Sequence, residues 1–195
     1  MNPFARGMER FGENLARLLA RHWLGLMNGV LLVITGLSLL APYLEHAGHP
    51  IPGLLIQKAF RVLCHQKPER SFFIFGHPMA VCSRCFAVYA SFLTVGLAFG
   101  AWRSLTKRRW EEIPLWSLGI LVLPMVLDGI TQLVGLREST QALRTVTGTL
   151  VGTGVGLFVY PFLARAFQEI RPDGQAVHLS EGLAGPSFKP LGKSH

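Results

Sequence analysis

WLGLMNGVLLVITGLSLLAPY, residues 23–43, runs 21 residues without a charged side chain. A bilayer's hydrocarbon core is about 30 Å thick, and an α-helix needs about 20 mostly apolar residues to cross it. Three further stretches read the same way. Cys85 to Trp102 is 18 residues without a charge, Leu115 to Gly135 is 21 residues with Asp128 as its one charge, and Thr145 to Ala164 is 20 residues without any. Backbone in lipid must satisfy its own hydrogen bonds, so each run is expected to be a helix. As the core of a soluble protein, four such runs in 195 residues would leave too little polar surface to cover them. The expected fold is all-α: a polytopic membrane protein with a four-helix transmembrane domain at residues 23–165.

Composition agrees. The chain is 50% hydrophobic and only 15% charged, where an ordinary soluble domain is about 25% charged. That argues against a soluble enzyme and against disorder. Despite a net charge of +8, it also argues against a nucleic-acid partner, because a phosphate footprint needs a polar face. The expected partner is the lipid bilayer.

Outside the spans, Met1 to His22 places Phe4, Met8, Phe11, Leu15, Leu18 and Leu19 at helical spacing, with Arg6, Arg10, Arg17 and Arg21 between them. This lead is expected to be an amphipathic helix on an anionic membrane surface, or else a plain solvated leader. Glu9, Glu13 and the length of the following span argue against a cleaved signal peptide. Residues 171–195 mix Gly, Pro, Ser and charge without periodicity and are expected to be a disordered tail.

Lysine and arginine placement sets orientation. The side holding both termini collects 12 such residues, four of them in the short link Arg103, Lys107, Arg108 and Arg109, against 7 on the other side. Both termini are therefore expected in the cytoplasm of a cell with an inner membrane. The loop from Leu44 to Arg84 is then extracytoplasmic.

That loop is long for a small bundle. Ile51 to Leu63 reads as a short interfacial or re-entrant helix, and Ser71 to Val81 as an apolar segment against lipid or capping the helices. All three cysteines fall here: Cys64-His65, then Cys82-Ser83-Arg84-Cys85. Three thiols and an imidazole are one of the tetrahedral zinc combinations. Cys64, His65, Cys82 and Cys85 are the candidate ligands, and Asp128, His77 or water could complete the set. A disulfide between Cys82 and Cys85, with Cys64 as an exchanging thiol, is the competing chemistry. Buried inert cysteines are the third reading. Arg70 and Arg84 beside the thiols would favour thiolates, or anchor to lipid phosphate.

Asp128 lies inside the third span, where a carboxylate is costly and normally faces a bundle interior. Thr131 and Gln132 share its helix face, and Pro124 one turn earlier frees a backbone carbonyl. Asp128 is either a functional (candidate catalytic) residue or the partner of an arginine that locks the bundle. Ser139 or Thr140 can cap the fourth span, flanked by Arg137 and Arg144, a plausible anion or headgroup site. In the fourth span, Gly148, Gly152 and Gly156 allow close packing. That span is expected against the third, with Thr149 within hydrogen-bond reach of Asp128.

Together, Cys64-His65-Gln66-x-Pro68-x-Arg70-Ser71-Phe72, Pro78, Cys82-x-Arg84-Cys85, Asp128-Gly129-x-Thr131-Gln132, Arg137-Glu138-Ser139-Thr140 and Arg144 resemble the uncharacterised prokaryotic membrane-protein family designated domain of unknown function 2085. The resemblance covers roughly residues 50–165 and departs at Phe86, where a small or polar residue is expected. It carries no known activity. It implies that the loop cysteines and the Asp128 segment belong to one site.

The leading expectation is a zinc site at the outer membrane edge, next to a polar pocket of Arg70, Arg84, Asp128, Thr131, Gln132, Arg137, Arg144 and Thr149. Whether the protein is an enzyme stays open. One alternative is a thiol-disulfide oxidoreductase passing electrons from Cys82 and Cys85 to a quinone. The other is a small ion or solute transporter, which would need to form a homo-oligomer.

Overall fold

Each of the four apolar runs forms a helix in the computed structural model, which describes residues 3–106, 110, 111 and 113–169. The order is α1 (Pro3–His46), α2 (Pro50–Phe60), a 3₁₀ turn (Pro68–Arg70), β1 (Ser71–Ile74), β2 (His77–Cys82), α3 (Ser83–Thr106), α4 (Leu115–Leu133) and α5 (Gln141–Glu169). Four helices, α1, α3, α4 and α5, are long and apolar enough to cross a membrane. Their uncovered faces are apolar, as Val30, Leu32 and Val33 on α1 and Leu123, Val126 and Leu127 on α4 illustrate. The tail at 171–195 and the basic residues 107–109 lie outside the described residues.

The amphipathic lead is not a separate element. It continues into the first span as one helix, Pro3–His46. Span three ends two residues earlier than its apolar run. Gly135 takes φ +75°, and bonds from the Leu136 and Gly135 amides to the Thr131 and Gln132 carbonyls, at 3.0 and 3.2 Å, close the helix. This is the glycine-stopped cap that only a residue tolerant of positive φ forms cheaply.

The 71–81 segment is a hairpin, an addition to the all-helical expectation. Its strands pair antiparallel, with Ser71 opposite Cys82 and Ile74 opposite His77. The two turn residues, Phe75 and Gly76, both take positive φ, 53° and 81°, as the tight hairpin turn matching strand twist requires. Phenylalanine is an unusual choice there. Its ring stacks on His46 at 4.6 Å and meets Tyr43 at 6.4 Å, which anchors the turn to the end of α1.

Two cores divide the bundle. At the hairpin end, Ala41, Phe60, Cys64, Ala80 and Val81 are buried, with Phe86 packed against them. Phe86 meets Phe72 edge to face at 6.4 Å, so the departure noted at this position fills space beneath the hairpin. At the opposite end Trp23, Phe99 and Tyr160 form an aromatic core, where the Tyr160 hydroxyl donates to Asn28 Oδ1 at 2.6 Å.

The glycine stripe faces α3, not α4. A Cβ on Gly148 would sit 2.5 Å from the Arg84 carbonyl, one on Gly152 2.3 Å from the Val88 carbonyl, and one on Gly156 2.9 Å from Val95. Span four is thus pressed most closely on span two. Its contact with span three uses Gly154, against Leu118 and Leu121. The close α3–α5 approach matters because it sets the two helix ends that carry Arg84 and Arg144 side by side.

Candidate metal centre and its polar partner

Cys64, Cys82 and Cys85 come together although the first two are 18 positions apart in the chain. Their sulfurs all lie within 4.8 Å of one another, and all three thiols are free. Each is placed by a different element. Cys64 closes the turn after α2, its amide bonded to the Phe60 carbonyl at 2.9 Å. Cys82 ends β2 and Cys85 sits in the first turn of α3. The hairpin therefore delivers the Cys-x-x-Cys pair to Cys64, and the Cys82 amide donates to Cys64 Sγ at 3.2 Å. Hydrogen bonds from the Cys82 and Cys85 thiols hold the Cys64 thiol well below the ordinary cysteine range. A sulfur that collects such donors is prepared to be a thiolate, the form that binds metal or attacks a disulfide.

Gln66 locks this turn. Its backbone takes φ +50°, and its side-chain amide donates to the Gln57 carbonyl at 2.5 Å and the Ala80 carbonyl at 2.7 Å. It ties α2 to β2 on either side of Cys64. His65, the fourth expected ligand, is exposed and stands outside the sulfur cluster. Adjacent side chains point apart, so with Cys64 turned inward His65 turns out. His77 is also elsewhere, paired with Glu45 at 3.1 Å. Tyr89, one helical turn beyond Cys85, is within electrostatic reach of all three sulfurs.

Asp128 is 2% exposed and gathers three partners. Arg84, from between Cys82 and Cys85, forms an ion pair with its Oδ2. Arg137 reaches Oδ1 at 3.1 Å, and the Ser139 hydroxyl donates to Oδ2 at 2.8 Å. Arg84 thus joins the thiol loop to the α4 carboxylate, and the two halves of the expected site are one connected cluster.

The rest of the polar set divides. Arg144 is 5% exposed; its Nε donates to the Ser139 carbonyl at 3.1 Å. With the Gln132 amide oxygen turned toward these donors, Gln132 accepts from Arg144 Nη2 at 2.5 Å and from the Ser139 amide at 3.3 Å. Arg70 is half-buried, its carbonyl accepting from the Ser83 hydroxyl at 3.1 Å. The Thr131 hydroxyl turns back onto the Asp128 carbonyl at 3.1 Å. Thr149 does not join. It is exposed and donates to the Thr145 carbonyl at 2.9 Å. The position facing inward is Thr147, about 200° around the helix from it and 1% exposed.

In the sequence Ser139 shows only a capping role and Gln66 no role of its own. Ser139 lies between two arginines in a short link, which is a usable signal. Gln66 has only its place in the Cys64-His65-Gln66 motif, because the bonds it makes depend on a turn formed by distant segments.

A family described as predicted membrane protein (DUF2085) matches residues 64–158, the stretch that spans every residue of the cluster. An uncharacterised protein of Methanocaldococcus jannaschii is 41% identical over 128 residues, 63% of this chain and 80% of the relative. An uncharacterised protein of Methanothermobacter thermautotrophicus is 39% identical over 98 residues, 50% of this chain and 85% of the relative. No solved structure matches.

Proposed function

Since this chain belongs to the DUF2085 family of predicted membrane proteins, we propose that it is a membrane metalloprotein whose zinc ion is held by Cys64, Cys82 and Cys85. The observation that carries this reading is the meeting of three sulfurs from three elements within 4.8 Å. Soft thiolates at that spacing suit zinc, and a set of three protein ligands leaves a fourth position for water or substrate. No histidine or carboxylate among the described residues joins the three sulfurs, which favours an open site over a closed structural one. A zinc ion there would supply Lewis acidity and an acidified water. The protein's own part is to hold the Cys-x-x-Cys turn through Arg84 and Asp128, and Cys64 through Gln66.

The basic link at Arg103, Lys107, Arg108 and Arg109 supports an inner-membrane protein with both termini cytoplasmic and the cysteine loop outside. The bilayer is the partner, and the apolar side chains that α4 leaves uncovered, Leu123, Val126 and Leu127 among them, leave room for a homo-oligomer.

Metal analysis of detergent-purified protein tests the proposal. The expected result is close to one zinc per chain, lost in Cys82→Ser while the helical signal persists. A well-folded preparation without metal contradicts it. A second reading draws on the same hydrogen-bonded Cys64 sulfur: a thiol oxidoreductase with a Cys82–Cys85 disulfide and a quinone acceptor. Redox-dependent alkylation of Cys82 and Cys85, together with bound quinone, would favour it over zinc.

A further inference from the structure

Charge does not balance beside the thiols. Four arginines converge there: Arg70 ahead of β1, Arg84 at the start of α3, Arg137 after α4 and Arg144 near the start of α5. Arg84 and Arg137 share Asp128. Arg144, although 5% exposed, is bonded only to neutral groups of Ser139 and Gln132. Arg70 and Arg84 act on it as like charges, and Asp128 and Cys82 as opposite ones. Arg70 is held nearby by backbone ties on each side: Ser83 Oγ to its own carbonyl at 3.1 Å, and Gln141 Nε2 to the Ser71 carbonyl at 2.9 Å. Arg84 Nε is buried without a hydrogen-bond partner. Glu69 and Glu138 are exposed, and among the described residues neither pairs with these arginines.

Arg84 and Arg137 therefore share the one carboxylate, while Arg70 and Arg144 have no ionic partner among the described residues. A zinc dication on three thiolates would offset one further positive charge and leave the excess standing. Buried like charges are costly unless something of opposite sign meets them. Guanidinium forks match the oxygens of phosphate and carboxylate. Phosphate fits this geometry better, since a tetrahedral group presents oxygens in several directions to arginines arriving from separate elements.

We propose that Arg70, Arg144 and the free edge of Arg84 bind a phosphate-type anion, presented as a phospholipid headgroup or as free phosphate. The site needs only the arginines, so it stands whether or not the sulfurs hold metal.

The test uses purified full-length protein in a non-ionic detergent, as isolated and after chelation. Thermal stability is followed against dioctanoyl phosphatidylglycerol, inorganic phosphate and, as the phosphate-free control, dioctanoylglycerol. Saturable stabilisation by the phosphatidylglycerol alone assigns the headgroup. Saturable stabilisation by inorganic phosphate assigns the free anion. Arg70→Gln is the informative variant, because the Arg70 side chain makes no hydrogen bond or ion pair among the described residues. It should weaken binding roughly tenfold, the share of one charged hydrogen bond, while the ligand-free midpoint holds or rises, since a like charge beside Arg144 is removed. No saturable effect from either probe overturns the proposal, as does an effect undiminished in Arg70→Gln.

Discussion

Asp128→Ala is expected to lower the unfolding free energy of the detergent-solubilised protein by about 3–5 kcal/mol, the usual cost of stripping one partner from a buried ion pair. The carboxylate is 2% exposed and receives Arg84, Arg137 and Ser139. Removing it leaves the Arg84 guanidinium, 17% exposed, facing another arginine with no counter-charge. Asp128→Asn keeps the shape but not the charge, so it falls between wild type and alanine. The double variant Arg84→Met with Asp128→Leu recovers part of the loss, because an apolar pair costs less than an orphaned ion. Equilibrium unfolding monitored by circular dichroism orders the four proteins. If Asp128→Ala is as stable as wild type, the carboxylate does not hold the bundle, and its coupling to the thiol loop is wrong.

Gly152→Val should also be damaging, through packing alone. A Cβ at this position would lie 2.1 Å from Ser91 Oγ and 2.3 Å from the Val88 carbonyl oxygen. The first can rotate away; the second is backbone, so α3 and α5 must separate. Overpacking of this kind costs about 1–3 kcal/mol and sometimes more, and in a membrane bundle it removes the close approach that holds helices together. Gly36→Ala is the control: nothing lies within 4 Å of its Cβ, and glycine-to-alanine in a helix ordinarily gains up to about 1 kcal/mol. Thermal midpoints should move in opposite directions at the two sites. A shared direction would mean that α5 does not pack on α3 as described.

The four spans were legible because a bilayer imposes a length and a polarity that nothing else in a chain of this size requires. Leu115 to Gly135 could be read from hydropathy, and even its end was marked by a glycine. The hairpin was not. Its turn is Phe-Gly instead of Asn-Gly, and an aromatic in positive φ becomes tolerable only once His46, from another helix, stacks on it. The site was half legible. Cysteine spacing and a carboxylate buried in an apolar run are chemical anomalies visible in one dimension. Arg84 and Asp128 were expected in one pocket, but which arginine pairs with the carboxylate was left open, since Arg84 and Asp128 are 44 residues apart. His65 and Thr149 misled for a common reason: a residue type and a plausible spacing fix a face only when the rotation of the local backbone is known. The turn at Cys64 sends His65 outward, and the packing of Gly154 on Leu118 and Leu121 turns Thr149 away from α4.

Zinc-edge X-ray absorption on the purified, metal-bearing protein examines the three sulfurs directly. Three sulfur neighbours at about 2.3 Å and one lighter atom near 2.0–2.1 Å is the spectrum the arrangement of Cys64, Cys82 and Cys85 predicts. A zinc shell containing only nitrogen and oxygen would contradict it, and would mean that these thiols do not form the metal centre.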